Sequence, residues 1–189
     1  MTFHPALRTG HNPRLARIAG VSRALSWLTL FLMIAGPAAI AGLLLFDPSN
    51  LDRMLIEGLS TSGKASLTPV TRVLAILLAL VPVGLVLAAL FFLRRLFQGF
   101  ARGAALAPES GQRLKWIGII LAAFAPMTIV IGTLGSIVVS WANAPGEREV
   151  SIGLHTDNIT VLVFGMLLVV LGWILEEAAI VADENRQFV

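Results

Sequence analysis

The side chains able to do chemistry are few in this 189-residue chain, and where they fall is informative. It has no cysteine, which removes disulfides, thiolate metal sites, iron–sulfur clusters and thiol catalysis. Its three histidines, His4, His11 and His155, all stand outside the long apolar runs, so no imidazole is placed to bind haem or relay protons inside a membrane. The hydroxyl residues Ser26, Thr29, Thr128, Thr133, Ser136, Ser140 and Thr160 lie within or at the ends of those runs, with no His or carboxylate beside them to activate a nucleophile. Their expected use is hydrogen bonding to their own helix backbone or across a helix pair, at about 0.6 kcal/mol each. The sequence nominates no catalytic residue, no cofactor and no metal ligand, and the chain is expected not to be an enzyme.

What remains is charge at the edges of the apolar runs. Arg94, Arg95 and Arg102 follow the second run, and Glu176, Glu177, Asp183 and Glu184 follow the fourth. One reading makes the acidic group a cap that neutralises the arginines within the fold. The functional reading makes the two groups a candidate surface for a partner.

The elements that position these residues follow from composition. With 57% hydrophobic and 13% charged residues and a mean hydropathy of +0.85, the chain has about half the charge of an ordinary soluble domain. Charge-free runs cover 24–46, 73–93, 116–141 and 159–175. The first three are long enough to cross a hydrocarbon core of about 30 Å; the fourth, at 17 residues, reaches only about 26 Å and needs help from flanking Asn158 or a thinned bilayer. Ala39-Ile40-Ala41 has the small-x-small spacing of a signal-peptide cleavage site, but the run continues through Phe46, which predicts a retained span. The expected fold is an all-α membrane protein, a single domain over 1–189, with four transmembrane helices in an up-down bundle. A basic segment, 1–23, precedes the spans, and an acidic tail, 176–189, follows them.

Lysine and arginine favour the cytoplasmic side of short connections. Arg8, Arg14, Arg17, Arg23, Arg94, Arg95, Arg102, Arg113, Lys115 and Arg186 lie on one side of the membrane in this topology. Arg53, Lys64, Arg72 and Arg148 lie on the other. The split predicts both termini in the cytoplasm, with the chain in a bacterial inner membrane. Trp27 and Trp116 then fall near the inner interface and Trp141 near the outer one. The basic residues meet anionic lipid, each contributing about 1 kcal/mol, and no direct nucleic-acid binding is expected. Arg14 to Arg23 is expected to lie on the membrane as a short basic helix.

Three features bear on packing. Pro37, Pro82 and Pro126 fall near the middle of their spans and predict kinks, with a shared flexing layer or small cavity as the functional reading. Gly132, Ser136 and Ser140 recur every four residues, Gly118 and Ala122 repeat that spacing, and Gly165, Gly172 and Ala179 recur every seven. Such small-residue stripes let helix backbones approach closely, either between the third and fourth spans or in a homo-oligomer.

The connections are short. Asp47-Pro48 followed by Leu51, Met54 and Leu55 predicts a capped interfacial helix, and Ser60 to Pro69 a flexible return. Pro145-Gly146 marks a turn, after which Val150, Ile152 and Leu154 alternate as a strand would. Between the second and third spans, Gly103 ends one helix and Pro108-Glu109 starts the next, which predicts a helical hairpin.

That hairpin and the C-terminus resemble an integral membrane family of bacteria known as domain of unknown function 2975. The resemblance rests on Leu96, Phe97, Phe100 and Gly103 after the second span, Leu114 and Gly118 entering the third, and Glu184, Asn185, Phe188 and Val189 in the tail. Ala104-Ala105-Leu106 departs from the pattern, where relatives tend to carry a Phe. The resemblance implies four spans and no established activity. It also implies a partner, since many relatives look to be encoded beside a small Cro-like helix-turn-helix regulator. The expected function is a non-enzymatic interaction or regulatory protein of the inner membrane. The alternative is a small transporter or channel subunit.

Overall fold

The computed structural model describes residues 13–59, 67–103, 107–141, 143–144, 148, 150–154 and 156–187. Five helices follow in chain order: α1 Pro13–Phe46, α2 Pro48–Leu59, α3 Pro69–Ala101, α4 Pro108–Ser140 and α5 Thr156–Gln187. Four of them, α1, α3, α4 and α5, are long and apolar enough to cross a membrane, so the chain is a multi-pass, all-α membrane protein. Each helix outruns its charge-free stretch. Residues 156–187 make 32 residues of helix, about 48 Å, so the fourth span is not short once its polar ends are included. Likewise Arg17 and Arg23 belong to α1 itself rather than to a separate surface helix.

Helix ends are set by local chemistry. Proline disfavours helical backbone in the residue before it, and Asp47, the one residue between α1 and α2, does two jobs there. Its N–H donates to Leu43 O at 3.1 Å, and its Oδ1 accepts from Asn50 N at 3.1 Å. At α3, Thr68 and Thr71 form a reciprocal capping box, with Pro69 at the first helical position. Gly103 ends the turn after α3 with φ of +80°, a conformation that a Cβ penalises.

The helices lie in a row. The backbone of α1 packs on α3, α3 on α4 and α4 on α5, while among the described residues α1 makes no close backbone approach to α4 or α5, nor α3 to α5. α2 spans three members of the row at the end where α1 stops. Its Leu51, Leu55 and Leu59 recur every four residues on one face and are buried with Ala75, Ile131 and Val139. The Arg72–Asp52 ion pair at 2.7 Å and Arg72 Nη2 donating to Pro48 O at 3.1 Å fasten α2 to the start of α3.

The α4–α5 seam is the closest in the molecule. A Cβ on Gly111 would stand 2.6 Å from Glu176 N, one on Gly118 2.6 Å from Val169 N, and one on Gly172 2.6 Å from Lys115 N. A Cβ on Gly165 would collide with the backbone of Ala122 and Gly118. Lipid tails are as apolar as the helices, so close van der Waals contact replaces the hydrophobic drive, and only glycine permits it here. Spacing of seven on both helices, 111–118 and 165–172, keeps these glycines on facing sides.

Two expectations change. Gly132 and Ser136 take no part in the glycine seam: a Cβ on Gly132 would have open space around it, and buried Ser136 Oγ accepts from Ser151 N at 3.0 Å in the α4–α5 connection. The stripe spaced by four turns toward α2 and that connection, because the face of α4 toward α5 is set by the glycines spaced by seven. Val150, Ile152 and Leu154 form no strand, since no second described segment offers an edge to pair with, and all three are exposed. Residues 1–12, including His4 and His11, and 60–66, 104–106, Pro145-Gly146 and His155 fall outside the described residues.

Gly118→Ala is expected to force the α4 and α5 backbones apart, with a loss of about 1–3 kcal/mol. The midpoint of thermal unfolding in detergent should fall by several degrees. Gly132→Ala, with nothing near its Cβ, should leave it level or slightly raised.

Candidate functional site

The polar end opposite α2 collects the charged residues singled out by sequence. α3 continues past its apolar stretch because Leu96 is buried on the α3–α4 hairpin and Gly99 leaves room for an arginine. Arg113 fills that room, donating from Nη1 to Arg95 O at 3.2 Å, and Phe92 stacks on Trp116 with ring centroids 6.2 Å apart. These contacts hold three arginines in different settings. Arg95 lies over the Phe91 ring at 4.8 Å, and Arg102 is exposed at the C-cap. Arg94 is half-buried, and its Nε is covered with no hydrogen-bond partner.

The acidic group stands elsewhere. Glu176 Oε2 pairs with Lys115 Nζ at 2.8 Å across the α4–α5 seam. Glu177, Asp183 and Glu184 are exposed and make no ion pair among the described residues. The expected neutralisation of Arg94, Arg95 and Arg102 by these carboxylates is not made, for a topological reason. α5 approaches only α4, and α4 separates it from α3.

Helical spacing places Glu177, Ile180, Val181 and Glu184 on one face of α5. Ile180 and Val181 are 43% and 47% exposed although they lie a turn beyond Glu176, where the charge-free run has ended. Ala179 does not share that surface; at 4% exposure it is in the seam. This acidic, apolar-centred stripe was only partly legible in the sequence, which showed the charges but not which apolar neighbours the seam would take. Asn185, Phe188 and Val189 contribute no described side chain.

A second feature answers the small cavity expected at the mid-span prolines. Pro37 of α1 and Pro82 of α3 line one apolar cleft of about 290 Å³, to which α4 adds Phe124. Pro126 is exposed and does not line it, so the cleft takes in two of the three prolines. The hydroxyls turn to backbone: Thr29, Thr133, Ser136 and Thr160 donate to carbonyls three or four residues back. Thr128 also meets Asn158 Oδ1 at 3.2 Å, linking α4 to α5. Among the described residues no group of three His, Asp or Glu side chains converges as a metal site would require.

A family model described as a protein of unknown function (DUF2975) matches residues 24–187. No curated protein and no solved structure matches the chain.

The Lys115–Glu176 pair is about a quarter to a third exposed on each side. A double-mutant cycle with Lys115→Met and Glu176→Gln, read by thermal unfolding, should give a coupling of about 0.5–1 kcal/mol that shrinks in high salt.

Proposed function

The chain belongs to the DUF2975 family, and from that premise we propose that it is a non-enzymatic membrane protein that holds a basic partner against the polar end of α5. The observation that carries this reading is the stripe of Glu177, Ile180, Val181 and Glu184. Two carboxylates that make no ion pair among the described residues flank two apolar side chains outside the charge-free run. An acidic rim steers a basic partner, and the apolar centre supplies contact area. A small helix-turn-helix regulator fits as that partner, because a DNA-binding domain presents basic surface. The membrane protein would then withhold the regulator from DNA or release it. It would touch no nucleic acid itself.

In this reading the protein sits in a bacterial inner membrane with both termini in the cytoplasm. Arg17, Arg23, Arg94, Arg95, Arg102, Arg113 and Lys115 lie at the stripe's end of the helices, the end that positive residues favour. A homo-oligomer would use the outer faces of α1 and α5. Transport is the weaker reading, because four helices in a row enclose no lumen within one chain.

Two measurements test the proposal. Reporter fusions at the two ends should both report the cytoplasm; ends on opposite sides would overturn the topology. The full chain in nanodiscs, titrated with a purified basic helix-turn-helix regulator of the small Cro-like type, should bind in a salt-sensitive manner. The double variant Glu177→Lys/Glu184→Lys should weaken that binding about tenfold or more. Binding indifferent to charge reversal, or no binding by the unaltered chain, would sink it.

A further inference from the structure

Arg94 is the charged group that the fold leaves least explained. Its Nε is covered and has no acceptor, at a cost that buried donors seldom carry without a reason. Counting back along α3 by four, three and four residues leads to Leu90, Leu87 and Val83, which share its face. Those residues line the cleft between α1 and α3. The cleft therefore starts one helical turn below a guanidinium.

Its depth has a natural measure. On α3 the lining runs from Leu90 to Pro82, eight residues or about 12 Å, close to the 15 Å of one leaflet in a core of about 30 Å. Pro37 and Pro82 line its deep part near mid-membrane, and Ile40 and Val83 there also line a second apolar cleft, of about 220 Å³, that reaches α2. Gly36 widens the α1 wall, because nothing stands within 4 Å of where its Cβ would be. The walls are apolar throughout, and Arg94 stands one turn beyond them at headgroup depth.

We infer that this groove holds one anionic phospholipid, its phosphate on Arg94 and one acyl chain lying between α1 and α3. The apolar walls select an acyl chain, and charge complementarity selects the headgroup. Arg94 Nε is enclosed by protein, so the phosphate meets the Nη groups, which have no acceptor among the described residues; a guanidinium binds a phosphate oxygen more strongly than a neutral acceptor does. A zwitterionic lipid brings its own ammonium beside the arginine and loses part of that gain. The inference is independent of the partner reading, since α5 does not border this groove.

The test is native mass spectrometry of the full chain released from nanodiscs containing equal phosphatidylglycerol and phosphatidylcholine. The unaltered protein should retain one phosphatidylglycerol, about tenfold in preference to phosphatidylcholine. Arg94→Gln should bring that ratio close to unity, Arg94→Lys should keep most of it, and Gly36→Leu should lower retention of both lipids by filling the groove. Equal retention of the two lipids by the unaltered protein would overturn the inference, with no variant required to fold. So would an unchanged ratio in Arg94→Gln, or displacement of the lipid by inorganic phosphate, which would mark an anion site without a chain groove.

Discussion

The architecture depends on how closely two helices can approach when the solvent is hydrocarbon. In water, burial of apolar surface drives helices together; in lipid that drive vanishes, and contact itself must suffice. At the α4–α5 seam, Gly111, Gly118, Gly165 and Gly172 bring backbone against backbone. Around this seam the Lys115–Glu176 pair closes one end and the Thr128–Asn158 contact lies farther along it. The same closeness turns Glu177 and Glu184 outward, since Glu176 and Ala179 take the inward positions.

The rest of the row is looser. Between α1 and α3 no glycine brings backbones together, and Gly36 instead opens a cleft. α2 compensates at one end by laying three leucines across α1, α3 and α4, with Asp52 bound to Arg72. Leucine burial is worth about 1.5–3 kcal/mol per side chain relative to water, and α2 is the one helix short and amphipathic enough to use it. One half of the molecule is thus held by backbone proximity, the other by a brace.

The spans were legible because charge-free runs report directly on what hydrocarbon tolerates. The Asp47-Pro48 joint, the Gly103 stop and the Pro108 start were legible too, being local. Packing partners were legible in part: Gly118, Ala122, Gly165 and Gly172 do meet between the third and fourth spans, as small-residue spacing suggests, while the other stripe on α4 does not join them. Gly132, Ser136 and Ser140 form as regular a stripe as Gly165 and Gly172, and nothing in one sequence says which stripe meets which neighbour. The matching stripe on α4 begins at Gly111, inside the helix that Pro108 starts but ahead of the charge-free run, so a stripe sought within that run misses its first member. The acidic tail was visible as charge, yet its separation from Arg94 and Arg102 follows from the order of helices in space.

That order has a consequence for biogenesis. Every span in the row packs against the span made just before it, so no long-range search is needed as the polypeptide leaves the ribosome. α3 finds α1 already inserted, α4 finds α3, and α5 meets a glycine face already in place on α4. The acidic stripe of α5 therefore emerges only after the helix that orients it has been inserted.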